Sequence, residues 1–127
     1  MKKMSLGALG EYMARRFLEE KKGMEFVRAN YRTKEGEIDL ILLDGEDLVF
    51  AEVKTRTLSS ALKFGRGADK ITPSKRGKII RASRSFLREE TEISKDKYPR
   101  YDAVEIYVDE SDPEEVKVIH TPFAFGF

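Results

Sequence analysis

The hydrophobic positions of this chain switch between two periods, and the switches divide it into elements. From Ser5 to Lys22 the apolar residues Leu6, Leu9, Met13 and Phe17 recur every three or four positions, which predicts an amphipathic helix. Ser5 supplies a cap and Gly23 a stop. Met24 to Asn30 is a short strand candidate. Gly36–Asp44 and Asp47–Arg56, dense in Ile, Leu, Val and Phe, predict stronger strands, with Gly45-Glu46 as a two-residue hairpin turn between them. Thr57 to Thr72 follows no period and carries Gly65 and Gly67, so a long loop is expected. Thr72 and Pro73 then open a second helix, as cap and first position, running to about Glu90. Its inner face reads Ile79, Ile80, Ser83, Phe86 and Leu87; its outer face reads Lys78, Arg81, Arg84 and Arg88. Thr91–Pro99 is a polar link, Tyr101–Asp109 a strand, Ser111-Asp112-Pro113 a turn and Glu115–Thr121 a last strand.

Helix, three strands, helix and two strands predict an α/β fold with a central mixed sheet. The middle hairpin is apolar on both sides. Ile38, Leu40, Leu42, Val49, Ala51 and Val53 share one face; Ile41, Leu43, Leu48 and Phe50 share the other. A strand pair buried on both faces needs cover on both. An α/β/α sandwich follows, one helix on each side, as a single domain over residues 1–127.

Composition narrows the chemistry. The 127 residues contain no cysteine, which excludes disulfides, thiolate metal sites and cysteine nucleophiles. The one histidine, His120, excludes paired-histidine metal sites and reads as a surface or packing residue near the end of the last strand. Phe123, Phe125 and Phe127 alternate in a tail and read as packing residues too. No apolar run reaches the roughly 18–20 residues of a spanning helix, so no membrane partner and a cytoplasmic location are expected. The net charge of +1 conceals an asymmetry. Between Lys54 and Arg88 eleven bases face a single acid, Asp69. Arg56, Lys63, Arg66, Lys70, Lys75, Lys78, Arg81 and Arg84 belong to this block. A concentrated positive field attracts polyanions, nucleic acid above all.

The hairpin concentrates acids. With Asp44 facing Asp47, Asp39 falls opposite Glu52 and Glu37 opposite Lys54. Alternation then points all four the same way, and opposed Cβ atoms lie about 4.5–5.5 Å apart. Crowded carboxylates repel and shift their pKa values, and burying them costs several kcal/mol each without compensation. Lys54 offsets one charge; a divalent cation, Mg²⁺ or Mn²⁺, would offset the rest. A salt-bridge network at the end of the sheet is the structural alternative. A first helix packed over this acidic end would add Glu11.

An acid, a spacer and then Glu52-Val53-Lys54 resembles the PD-(D/E)xK nuclease superfamily, with Ile38 in place of the proline of that name. More narrowly, the chain resembles the YraN-type (UPF0102) family of predicted endonucleases. The likeness lies in Gly7-Ala8-Leu9-Gly10-Glu11, Asn30-Tyr31-Arg32, Gly36-Glu37-Ile38-Asp39-Leu40-Ile41, the run Val49 to Arg56, and Arg100-Tyr101-Asp102-Ala103-Val104. It is also similar to archaeal Holliday junction resolvases. The resemblance implies a restriction-endonuclease-like core and metal-dependent hydrolysis of DNA phosphodiester bonds, with branched or junction DNA among the candidate substrates. It implies Asp39, Glu52, the Val53 carbonyl and Glu11 as metal ligands and Lys54 as the group that orients or deprotonates water. Glu37 would be an accessory partner of Lys54, and Lys75 would sit near the phosphate. Cutting both strands of a two-fold substrate would favour a homodimer. The competing expectation is a non-catalytic nucleic-acid-binding module on the same fold.

Overall fold

The computed structural model describes residues 4–60 and 71–126, together with every side chain among them except that of Pro113. Lys63, Gly65, Arg66, Gly67, Lys70 and Phe127 lie outside the described residues. The elements are α1 (Leu6–Glu20), β1 (Glu25–Arg32), β2 (Glu37–Asp44), β3 (Asp47–Thr57), α2 (Pro73–Glu89), the single turn α3 (Thr91–Ser94), β4 (Tyr98–Asp109) and β5 (Asp112–Phe125). The strands form one mixed sheet in chain order, β3 and β4 parallel and every other neighbour antiparallel. A parallel pair needs a long crossover, and α2 supplies it.

Two cores sandwich the sheet. On one face Ala14 and Leu18 of α1 pack on Leu40, Leu42, Val49, Ala51, Val104, Ile106 and Val108. On the other Ile79, Ala82 and Phe86 of α2 pack on Ile41, Leu48, Phe50 and Tyr101. The expected caps hold: Ser5 Oγ accepts the Ala8 N–H and Thr72 Oγ1 the Lys75 N–H, with Pro73 opening α2. The outer face of α2 is exposed at Lys78, Arg81, Arg84 and Arg88, as its pattern predicted. The hairpin turns at Gly45, whose φ of +60° suits a residue without a Cβ. Among the described residues no helix is long and apolar enough to cross a membrane.

Several expectations change. The buried stripe of α1 is Gly10, Ala14 and Leu18, with Met13 and Phe17 at its edge and Leu6 42% exposed. The small residues win because α1 presses its backbone onto the sheet. Ile38 joins the α2-side core, although strict alternation puts it with Leu40. The strands run longer than their patterns: β1 continues through Tyr31 and Arg32, β4 begins at Tyr98, and β5 spans Asp112–Phe125. The chain reverses before Asp112, which already pairs with Asp109, and residues 58–60 of the expected loop are helical.

Candidate active site

The β2–β3 register follows the hairpin as predicted, from Asp44–Asp47 to Leu40–Ala51. Beyond that pair the ladder opens. Asp39 Oδ2 reaches into the fork and accepts the Val53 N–H at 2.8 Å, so a carboxylate replaces the next rung. Ile38 leaves strict alternation at the same place, beside the end of the β2–β3 ladder. Glu52, only 6% exposed, is in hydrogen-bonding contact with Asp39. Burial, and next the charge of Glu52, push the Asp39 carboxyl up to about 8 against the opposing pull of the Val53 N–H; Glu11 adds further repulsion. The two acids meet, as the hairpin arithmetic required.

Cations border the pair from two elements. Lys54, two residues beyond Glu52 and on the same face, stands in contact with Lys75 from the first turn of α2. Burial and the Lys75 charge hold the Lys54 ammonium below its ordinary range, against the pull of Glu52 and Asp39. Lys75 forms an ion pair with Glu52 Oε1. Burial opposes the charged form of Lys75, but the hydrogen bond and charge of Glu52 outweigh it and raise its pKa.

Glu11 owes its place to the residue before it. α1 crosses β3 so closely that a Cβ on Gly10 would stand 1.7 Å from Thr55 Oγ1. No side chain fits there, and the close approach brings Glu11 within electrostatic reach of Asp39.

Glu37 is not part of the cluster. It pairs across to Arg32 of β1, with a salt bridge at 3.6 Å, and the β2–β3 ladder ends before it could face Lys54. The fork separates those two positions. Of the basic residues, Arg56 donates to Ser60 Oγ at 3.3 Å and Arg81 pairs with Glu35 at 3.1 Å. Among the described residues no group of three or more Asp, Glu or His side chains is close enough to hold a metal ion.

Sequence reasoning missed a second charged cluster, on the α1 side of the sheet. Asp102, fully buried, receives both arms of Arg100 at 2.9 Å, His120 Nε2 at 2.8 Å and the Phe123 N–H at 3.2 Å. The same guanidinium donates to Asp44 at 3.0 Å and Asp47 at 2.9 Å, beside the hairpin turn. A signal was present: Arg100 and Asp102 continue a strand face that is otherwise Val104, Ile106 and Val108. His120, expected as a surface or packing residue, packs edge-on against Phe17 and also bonds Asp102 through Nε2.

Residues 10–106 match the family described as Uncharacterised protein family UPF0102. The chain is 37% identical to a UPF0102 protein of Chlorobium limicola over 113 residues, covering 89% of this chain and 83% of that one. It is 39% identical to one of Caldicellulosiruptor saccharolyticus over 108 residues, covering 85% and 86%. A UPF0102 protein of Caldanaerobacter subterraneus is 34% identical over 123 residues, 97% of this chain and 96% of its own. The matched stretch holds α1 from Gly10, the fork with both acids, Lys54, Lys75 and most of β4, and the chain belongs to the UPF0102 family.

Proposed function

We propose that this protein is a metal-dependent endonuclease, built on a restriction-endonuclease-like core, that hydrolyses DNA phosphodiester bonds. The observation carrying the reading is the contact between half-buried Asp39 and buried Glu52 at a fork of the sheet, which leaves Asp39 pushed up to about 8. A fold selected only for stability gains nothing from that repulsion. The donors are hard oxygens and suit Mg²⁺ or Mn²⁺. Asp39 and Glu52 would hold the ion, with the Val53 carbonyl beside them and Glu11 inward or through water. The bound ion would supply a nucleophile from water at neutral pH and neutralise charge on the phosphoryl oxygens.

The chain's own groups do the rest. The Val53 N–H fixes the Asp39 carboxylate on rigid backbone. Lys54, with its ammonium destabilised by burial and by Lys75, has an enlarged neutral fraction to take a proton from an attacking water. Lys75 neutralises Glu52 in the free protein and is placed to turn to a phosphate oxygen once that charge is met otherwise. The exposed bases of α2 face outward to attract the backbone.

One observation favours a non-catalytic nucleic-acid-binding module: Glu52 already has a cation in Lys75. A cleavage panel of duplex, single-stranded and branched DNA with Mg²⁺ or Mn²⁺ separates the two. The nuclease reading requires cutting by the wild type and a loss of at least about 10³-fold in Asp39→Ala and Lys54→Ala, with DNA binding retained. Equal inactivity of all three across the panel leaves the binding module.

A further inference from the structure

A cleft of about 500 Å³ opens between the β1–β2 turn and the C-terminal half of α2, away from the acid pair. Five cations line it: Arg32 and Lys34 from the turn, Arg81, Arg84 and Arg88 from the helix. Its two acids, Glu35 and Glu89, offset part of that charge, Glu35 by pairing with Arg81 of the same lining. Glu35 pairs with Arg81 at 3.1 Å, and Glu89 accepts the Tyr31 hydroxyl at 2.9 Å. Five cations against two acids leave the lining net positive. The turn is held in shape without a ligand. Thr33 Oγ1 accepts the N–H groups of Glu35 and Gly36 at 3.0 and 3.1 Å, and Thr33 N–H donates to Gly36 O at 2.8 Å. The Glu35–Arg81 pair ties it to α2.

The lining chooses the ligand. It has no aromatic and no large apolar side chain, so a base finds nothing to stack on. Arginine forks and a lysine suit phosphate oxygens. Two rulers place the cleft relative to Asp39 and Glu52. β2 covers the three residues from Gly36 to Asp39 in about 10 Å at ~3.3 Å per residue. Along α2 the middle of the cleft wall lies about 14 Å from Lys75 at ~1.5 Å per residue. Phosphates of one duplex strand rise ~3.4 Å apart along the axis, so the cleft stands about three to four nucleotides from the acids, on the α2 side of the sheet. Resting on the nucleic-acid reading above, we infer that this cleft is a second contact site, which seats the sugar–phosphate backbone of the strand flanking the cut and reads no base.

The test uses the full chain carrying Asp39→Asn, so that binding is measured without cutting. Fluorescence anisotropy with a labelled duplex is followed from 50 to 300 mM KCl. Adding Lys34→Ala and Arg88→Ala together is expected to lower the slope of log K against log salt by about 2 and to weaken binding about tenfold at 100 mM. The control pair Arg15→Ala and Arg16→Ala, on α1, leaves the slope unchanged. An equal effect on two unrelated duplex sequences supports the backbone assignment; loss on one sequence alone overturns it. An unchanged slope in the cleft variant overturns the site, even if poly-glutamate or inorganic phosphate still binds there. Wild-type cutting with Mn²⁺ is scored separately. Cutting with an unchanged slope sinks the cleft alone, and a changed slope without cutting sinks the nuclease reading alone.

Discussion

Two aspartates of one sheet, Asp102 buried and Asp39 half-buried, move in opposite directions. Asp102 is fully buried, yet burial is outweighed by His120, Arg100 and the Phe123 N–H, and its carboxyl is held below the ordinary range. Asp39 is pushed up to about 8, because burial and the charge of Glu52 act together and one backbone N–H opposes them. Burial alone does not set the sign; the company does. Asp102 sits in a donor-rich network that also reaches Asp44 and Asp47 through Arg100. That network pins the hairpin turn to β4. At the fork the two acids instead repel each other, with Lys75 paired to Glu52 and a single backbone N–H bonded to Asp39. One cluster surrounds its central acid with donors that favour the charged form; the other leaves an acid whose charged form is destabilised, which a ligand cation would relieve.

Breaking the Asp102 cluster should have the largest effect on stability. Asp102→Ala leaves Arg100 only its bonds to Asp44 and Asp47 and takes the partner of His120 Nε2 away, and losing one partner of a buried ion network typically costs about 3–5 kcal/mol. Chemical denaturation at pH 7 should show a loss of that size. The contribution has a definite pH sign. A depressed acid stabilises above its unfolded value, near ~4, and the advantage disappears as pH falls through the lower folded value. Wild type and variant should converge in acid. A variant as stable as the wild type at pH 7 would make the network ornamental.

Gly10 offers a cut between the two regions. α1 touches both: Phe17 lies against His120, whereas Gly10 presses on Thr55 near the fork. Gly10→Ala forces the N-terminal half of the helix off β3, at a cost of about 1–3 kcal/mol. It should displace Glu11 from Asp39 while leaving the His120 ring environment intact. Chemical shifts of the His120 ring and of the Thr55 methyl check both halves of the expectation.

The parts of this molecule that were legible are those set by local rules. The turn at Gly45 fixes a register, the register counts outward, and Asp39 and Glu52 meet. Counting fails where the ladder stops. Nothing in the residues from Gly36 to Asp39 announces that the strands separate, so Glu37 was carried one step too far toward Lys54, and Ile38 was assigned to the wrong face. Lys75 pairs with Glu52 only because a crossover returns α2 over the fork. The Arg100–Asp102–His120 cluster depends on strands 18 residues apart. Long-range pairing of that kind leaves only a weak trace, charges on an apolar strand face.

The acid pair carries the opposite pH sign. For Asp39 the folded value lies above the unfolded one, so its favourable contribution is complete below ~4 and is lost as pH rises toward about 8. Asp39→Asn should therefore match the wild type in acid and exceed it at pH 9 by on the order of 2 kcal/mol, after allowance for partial solvent screening. Denaturation curves across pH 4–9 measure the gap. An Asn variant that loses stability at high pH would place Asp39 in the same class as Asp102.

The smallest effect isolates the counterion. Lys75→Met removes the cation from Glu52 and leaves two acids with less to offset them. The loss without metal should be modest, about 0.5–1 kcal/mol, since Lys75 is 40% exposed and solvent already screens the pair. The informative quantity is the response to Mn²⁺. Anything that binds only the folded chain stabilises it by mass action, and a cation that no longer competes with Lys75 binds more tightly. At pH 8 and 5 mM Mn²⁺, the melting temperature of Lys75→Met should rise by several degrees more than that of the wild type, and that of Asp39→Asn by less. Asp102 is neutralised from within, so Asp102→Ala should respond to Mn²⁺ as the wild type does. Equal responses in all four proteins would erase the distinction between the two aspartates, because the acid pair would then have no more affinity for a cation than the network across the sheet.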